Sequence, residues 1–133
     1  MNIFEKVKSL NLPLGQYVVV SSGVLDALGI RPARDIDIAV LPELHEKLRK
    51  SGEWKEDERF GKIFLMKDMF ECIPSLEWDK YPTTTEQAIA SATIIEGVPF
   101  MNIEELIKFK TALGREKDFK DLELIKNYLN EQN

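Results

Sequence analysis

The sequence predicts an α/β (α+β) fold in which helices flank one mixed sheet and the chain ends in two helices. The run YVVVS at 17–21 is β-branched and is typical of a buried strand. The segment DIDIAVL at 35–41 alternates apolar and polar residues, as a second strand does. Strand-like and helix-like segments interleave along the 133 residues, which favours helices packed on one sheet. Because no linker-like stretch divides the chain, we expect one domain, residues 1–133.

Short helices and loops surround these two strands. Residues 2–10 carry apolar side chains at helical spacing and predict an N-terminal helix. SGVLDALG predicts a short helix that ends at Gly29, and IRPAR predicts a loop before the second strand. PELHEKLRKSG predicts a helix with Pro42 at its first position and Gly52 just after its end.

The middle of the chain supplies the remaining predicted strands. GKIFLMKDMFECIPS predicts two strands joined by a tight turn near Lys67 and Asp68. In TTTEQAIASA, Thr83 with Glu86 three residues later predicts a capping box at the start of a short helix. TIIEGVPFMN predicts another strand pair, bent at Gly97. These segments complete the mixed sheet.

Two helices are predicted at the C-terminal end of the chain. Asn102, followed by Glu105, predicts the cap of the helix IEELIKFKTALG, which ends at Gly114. The final helix, EKDFKDLELIKNYLN, is amphipathic. Its predicted inner face consists of Phe119, Leu122, Ile125 and Leu129.

Charge and composition limit the classes of function. The formal net charge of −5 argues against a broad nucleic-acid surface, which needs clustered lysine and arginine. No apolar run approaches the roughly 18 residues that span a membrane, and MNIFEKVKSL lacks the apolar centre of a signal peptide. A single cysteine, Cys72, suits a reducing compartment. We therefore expect a cytoplasmic protein without a membrane segment.

Two aspartates lie one residue apart in the second predicted strand. Residues i and i+2 of a strand point to the same face, so Asp35 and Asp37 share one face while Ile36 and Ile38 pack inward. Two carboxylates roughly 7 Å apart repel each other, and a divalent cation such as Mg²⁺ offsets that repulsion. The alternative is an edge strand on which both aspartates face water.

A small-residue turn follows the first predicted strand. Ser21, Ser22 and Gly23 open the next helix, where free backbone N–H groups and the Ser22 hydroxyl suit phosphate. The alternative is an ordinary serine N-cap. If the fold brings this turn beside the aspartates, one element holds a triphosphate and the other holds its metal. That arrangement suits phosphoryl or nucleotidyl transfer with two metal ions.

These segments resemble the nucleotidyltransferases of the DNA-polymerase-β-like superfamily. Its signature is a Gly-Ser or Gly-Gly turn, a short helix and loop, and then Asp-apolar-Asp/Glu. SGVLDALGIRPARDIDIAV is similar to small bacterial and archaeal members, and NIEELIKFKTALGREKDFKDLELI resembles a later segment of the same members, including abortive-infection-type toxins. The resemblance spans residues 17–41 and 94–128 and implies a nucleotidyltransferase-type mixed sheet.

The resemblance also implies a third carboxylate on a neighbouring strand. The best match is Glu71, because Phe70 and Cys72 on either side would point the other way; Asp68 is the second choice. The alternative for Glu71 is a solvent-facing strand residue. Ser21 departs from the glycine that the superfamily has at the first turn position, which bears on catalytic competence rather than on the fold.

Basic residues near both motifs are candidates for contact with the nucleotide. Lys110 and Arg115 would meet the triphosphate if the last two helices pack beside the site. Arg31 and Arg34 flank the aspartate loop and are placed to neutralise Asp35 or to touch phosphate. The alternative for each is a solvated charge or an ion pair. Asp118 and Asp121 are the nearby partners for such pairs.

The resulting hypothesis is an Mg²⁺- or Mn²⁺-dependent nucleotidyltransferase. Asp35, Asp37 and Glu71 would bind two metal ions while an NMP moves from an NTP to a hydroxyl acceptor. The resemblance allows a small molecule, an RNA end or a protein side chain, as in toxin–antitoxin pairs, and a homodimer or a partner protein could complete the site. Two alternatives stay open: a catalytically silent nucleotide- or partner-binding protein on the same fold, and a structural domain with solvated aspartates.

Overall fold

The structure, a computed structural model, describes residues 2–132 and is built on a seven-stranded mixed sheet. The strands are β1 (Tyr17–Val20), β2 (Ile36–Val40), β3 (Lys55–Arg59), β4 (Lys62–Lys67), β5 (Phe70–Ile73), β6 (Thr93–Ile95) and β7 (Val98–Phe100). The helices are α1 (Ile3–Lys8), α2 (Ser22–Ala27), α3 (Pro42–Ser51), α4 (Thr85–Ala90), α5 (Ile103–Leu113) and α6 (Glu116–Glu131). None of these helices is both long enough and apolar enough to cross a membrane.

The sheet has its most buried strands at its centre. Its order is β3-β4-β5-β2-β1-β7-β6, with β2 antiparallel to β1 and parallel to β5. Every residue of β1 is buried, as its β-branched sequence predicts, because α2 and α4 pack against it and β2 and β7 flank it. The predicted mixed sheet with flanking helices and two C-terminal helices is therefore confirmed.

Helix boundaries largely follow the predicted caps. Pro42 begins α3, and Gly52 follows it in a left-handed conformation with φ of 72°. Asn102 caps α5 through its Oδ1, and Gly114 follows that helix with φ of 60°. The capping box of α4 lies one residue later than predicted, because it is formed by Thr84 and Gln87 rather than by Thr83 and Glu86. The hydroxyl of Thr83 instead donates to Glu105 on α5.

Strand β3 was not predicted. Its sequence, KEDER, has no apolar residue and therefore no alternating hydrophobic pattern. It forms because the turn at Phe60 and Gly61 (φ 53° and 72°) pairs it antiparallel with the more apolar β4. As an edge strand it needs no buried side chains, and charged residues suit an edge because they discourage pairing with other chains.

The inner face of α6 differs from the predicted apolar face. Ile125 is buried as expected, but the side chain of Phe119 is 56% exposed. The buried residues at the start of this face are Asp118 and Asp121. Two aspartates replace the expected hydrophobic contact because the opposing surface of α5 presents the ammonium group of Lys110.

Candidate active site

A cleft of about 540 Å³ opens beside the end of β1, β2 and β5. Four predicted site residues line it: Ser21, Asp37, Glu71 and Arg115. Its remaining walls come from β3 and β4, from the loop after β5 and from the C-terminal half of α5. The apolar part of the lining includes Phe60, Phe64, Ile73, Trp78, Phe109 and Leu113. The cleft therefore combines a charged floor with aromatic walls.

Asp37 and Glu71 lie side by side on neighbouring strands. The parallel register of β2 and β5 places them directly opposite each other. Their chain neighbours Ile36, Ile38 and Cys72 are buried on the other face of the sheet, as the alternating sequence predicts. Burial raises the pKa of Asp37 from 3.8 to about 7, and the charge of Glu71 and a hydrogen bond to it act in the same direction. This pair of carboxylates therefore favours a positive charge beside it.

Asp35 occupies a different position from the one predicted. It lies in the bend before β2 and is exposed, so it is not a strand residue on the same pleat as Asp37. Its negative charge nevertheless contributes to the raised pKa of Asp37, which shows that the two carboxylates are close enough to interact. Asp35 thus lies near the Asp37–Glu71 pair, at its exposed side, and is not part of it.

Arg59 supplies the nearest positive charge. Its Nη2 donates to Oε1 of Glu71, its Nε donates to Oδ2 of Asp57 at 2.8 Å, and its Cζ lies 4.4 Å from the ring centroid of Phe64. The sequence interpretation did not single out Arg59, because β3 itself was not predicted. The glycine of the turn at Phe60 and Gly61, which joins β3 to the predicted β4, is the sequence signal that could have indicated a hairpin there.

The carboxylate oxygens of Asp37 and Glu71 meet part of what a hard divalent cation needs. Carboxylate oxygens are the ligands that Mg²⁺ prefers, and the guanidinium on Glu71 shows that a cation fits at this end of the pair. Across residues 2–132, however, no three His, Cys, Asp or Glu side chains are arranged to hold a metal ion. Asp37 and Glu71, which lie directly opposite each other, are the residues that could hold a metal ion.

The Ser21–Gly23 turn has an unusual backbone. Ser21 stands at the N-cap position of α2 with φ of 58° and ψ of −131°, a conformation that glycine adopts at little cost and other residues rarely adopt. Its side chain makes no capping hydrogen bond, so the ordinary N-cap alternative does not describe it. A Cβ on Gly23 would lie 2.5 Å from Cγ1 of Val19, so this glycine lets α2 pack closely on β1.

A buried ion network joins this turn to the C-terminal helices. Arg31 donates from Nη2 to Oγ of Ser22 at 3.0 Å and binds Asp121 through two hydrogen bonds of 2.7 and 2.8 Å. Nζ of Lys110 lies 2.8 Å from Asp121 and 3.6 Å from Asp118. Although burial opposes it, these hydrogen bonds and charges hold the pKa of Asp121 below its ordinary value. Arg31 thus forms ion-pair and hydroxyl contacts instead of reaching Asp35.

The predicted phosphate ligands fall into different environments. The side chain of Lys110 is only 2% exposed and has two aspartate partners, so it is not placed to contact a triphosphate directly. Arg115 lines the cleft with a half-exposed side chain, although it also pairs with Asp118. Arg34 is exposed on the loop before β2 and does not belong to the described lining of the cleft. Of these three residues, Arg115 alone faces the cleft.

Comparison with solved structures supports the fold. The crystal structure of ANT(2″)-Ia in complex with adenylyl-2″-tobramycin matches with a TM-score of 0.55, over 96% of this chain and 86% of that one. The chain has a nucleotidyltransferase fold. ANT(2″)-Ia is an aminoglycoside nucleotidyltransferase of the polymerase-β-like type, and 17% of its aligned residues are identical to those of this chain. No family model and no curated sequence matches the chain.

Proposed function

We propose that this protein is a metal-dependent nucleotidyltransferase that moves an NMP from an NTP to a hydroxyl group. The observation that carries the proposal is the meeting of the Ser21 turn, the Asp37–Glu71 pair and Arg115 on one cleft. The nucleotidyltransferase fold and the adenylylated product named with ANT(2″)-Ia support it.

Each part of the cleft has a role in this reaction. The backbone N–H groups of Ser22 and Gly23 and the guanidinium of Arg115 would bind the β- and γ-phosphates. Asp37 and Glu71, with Asp35 at the rim, would hold Mg²⁺ or Mn²⁺, which supplies Lewis-acid stabilisation of the phosphate charge. Glu71 would orient the acceptor hydroxyl and accept its proton. The acceptor oxygen bonds to the α-phosphorus, and the bond from that phosphorus to the bridging oxygen breaks, so that pyrophosphate leaves with the bonding electron pair.

The acceptor would enter along the aromatic walls of the cleft. Trp78, Phe64 and Phe109 offer apolar surface next to the carboxylates, and such surface can pack against a sugar or another ring. The product named with ANT(2″)-Ia favours a small molecule as the acceptor over a protein side chain or an RNA end. A second copy or a partner protein would extend the site on its open side.

A thermal-unfolding experiment tests the proposal. We expect at least one of ATP, GTP, CTP and UTP to stabilise the protein, and to do so only with Mg²⁺. At about 100 times the dissociation constant the gain in the free energy of unfolding is about 2.7 kcal/mol. The nucleotide that gives the shift is then supplied with label at its α-phosphate, and we expect label transfer with release of pyrophosphate. A protein that responds to none of the four nucleotides would contradict the proposal.

The strained Ser21 favours one second candidate, a catalytically silent binding protein on the same fold. The Ser21→Gly variant should raise the free energy of unfolding by about 1 kcal/mol, because it removes strain at φ of 58°. Ser9, with an ordinary helical φ of −63°, is the matched control, and Ser9→Gly should lower stability instead. If turnover appears only in Ser21→Gly, the natural protein is the silent form; turnover in both proteins supports the enzyme.

A further inference from the structure

The contact between Arg59 and Glu71 sits at the centre of the candidate active site. Arg59 is the last residue of β3, and its guanidinium reaches across β4 to the carboxylate on β5. The side chain of Glu71 is 20% exposed, so the ion pair lies on the floor of the cleft rather than on the open surface. A guanidinium bound here offsets the negative charge that Asp37 and Glu71 place side by side.

The guanidinium occupies Oε1 of Glu71, one of the carboxylate oxygens that a divalent cation on this pair would use. An ionised carboxylate that accepts hydrogen bonds from a guanidinium has fewer lone pairs free for a metal. Two cations on one carboxylate also repel each other, most strongly where the protein excludes water. Because Glu71 would bind the metal together with Asp37, binding of Arg59 and binding of a metal at Glu71 oppose one another.

Arg59 has two further contacts that do not depend on Glu71. If it leaves Glu71, its Nε can keep the 2.8 Å bond to Asp57, and its guanidinium can stay over the ring of Phe64. The strand that carries it is an exposed edge, and the next residue, Phe60, is 92% exposed at the hairpin tip. Release of Glu71 therefore leaves the other two contacts of Arg59 in place.

We propose that Arg59 competes with the divalent cation for Glu71, so that Glu71 binds either Arg59 or the metal ion. This inference rests on the proposed function, because that function assigns the metal to Asp37 and Glu71. In the metal-free protein Arg59 neutralises Glu71 and keeps the site closed to a free cation. A metal that arrives with a nucleotide displaces Arg59 from Glu71, while the contacts with Asp57 and Phe64 keep its side chain beside the cleft.

Binding of Mn²⁺ to the free protein, measured by electron paramagnetic resonance, tests the inference without turnover. The variants are Arg59→Gln, which removes the charge, and Arg59→Lys, which keeps it. The matched control is Arg49→Gln, because Arg49 forms a similar ion pair with Glu56 on the same strand but lies away from the cleft. We expect Arg59→Gln to bind Mn²⁺ about tenfold or more tightly than wild type, since a neighbouring opposite charge changes the occupancy of a carboxylate by at least that factor. Arg59→Lys and Arg49→Gln should stay within about twofold of wild type.

The possible outcomes separate this inference from the proposed function. Equal Mn²⁺ affinity in wild type and Arg59→Gln would overturn the competition while leaving the nucleotidyltransferase proposal intact. Absence of Mn²⁺ binding in every variant would overturn the competition, and the nucleotide-dependent shifts would then decide the proposed function separately. The thermal-unfolding shift on adding Mn²⁺ is a second measurement, and it should be larger for Arg59→Gln than for Arg49→Gln. It also shows directly whether Arg59→Gln is folded.

Discussion

Replacing Asp37 with Asn should lower nucleotidyl transfer by about a thousandfold or more. Asn keeps the size of the side chain but removes the negative charge that would hold the cation beside Glu71. The measurement is the transfer of labelled α-phosphate together with pyrophosphate release, in wild type and variant. The matched control is Asp68→Asn, because Asp68 lies exposed in the turn before β5, with φ of 54°, where Asn is well tolerated. Full activity in Asp37→Asn would contradict the assignment of the site.

Asp37→Asn should also change how the free energy of unfolding depends on pH, which is measured without turnover. In the folded protein the pKa of Asp37 is about 7, above its ordinary 3.8, because burial favours the neutral carboxyl. The folded state therefore binds this proton more tightly than the unfolded chain, and metal-free wild type should lose stability as pH rises from about 4 to about 7. The loss amounts to about 4 kcal/mol at most. Unfolding in urea at pH 5 and pH 8 measures it, and Asp37→Asn should show a smaller difference than wild type.

Replacing Lys110 with Met should lower the free energy of unfolding by about 3 to 5 kcal/mol. Met keeps most of the apolar stem, but it leaves the buried carboxylates of Asp118 and Asp121 with less positive charge than they need. Arg31 still pairs with Asp121, and Arg115 still pairs with Asp118, so the network is weakened rather than dissolved. Urea-induced unfolding measures the change.

Lys108 on the same helix provides the matched control for this prediction. Its side chain is 67% exposed and pairs with Glu105 at the surface, where an ion pair contributes about 1 kcal/mol or less. Lys108→Met should therefore be nearly neutral. A similar, small loss of stability in both variants would show that the buried network does not hold α5 against α6.

A double variant tests the network further. If the network stabilises the fold, Lys110→Met combined with Asp121→Asn should lower the free energy of unfolding by less than the sum of the two single changes, because Asp121→Asn removes the charge that Lys110→Met leaves unpaired.

Local sequence signals were sufficient to predict those features of the fold that depend on a single segment of the chain. The β-branched run at 17–20 became the buried strand β1, and Gly52 and Gly114 ended their helices through left-handed conformations. The alternation around Asp37 predicted which side chains turn toward the core. The charged strand β3 escaped prediction, because an edge strand is held by its partner's backbone and needs no apolar pattern of its own.

By itself, then, the sequence determined the mixed sheet with its flanking helices, most of the helix ends and the side of the sheet on which Asp37 and Glu71 lie. Only the tertiary structure decided which basic side chain forms an ion pair with which carboxylate. Arg31 bonds with Asp121, 90 residues away, and Arg59 bonds with Glu71 across two strand pairings. Helical and strand periodicity indicates which side chains of one helix or strand face the core. Ion pairs between elements depend instead on how those elements pack, which no local pattern encodes. For that reason Lys110 was expected at the phosphates and lies buried between aspartates, while Arg59 was not expected and lies on the floor of the cleft.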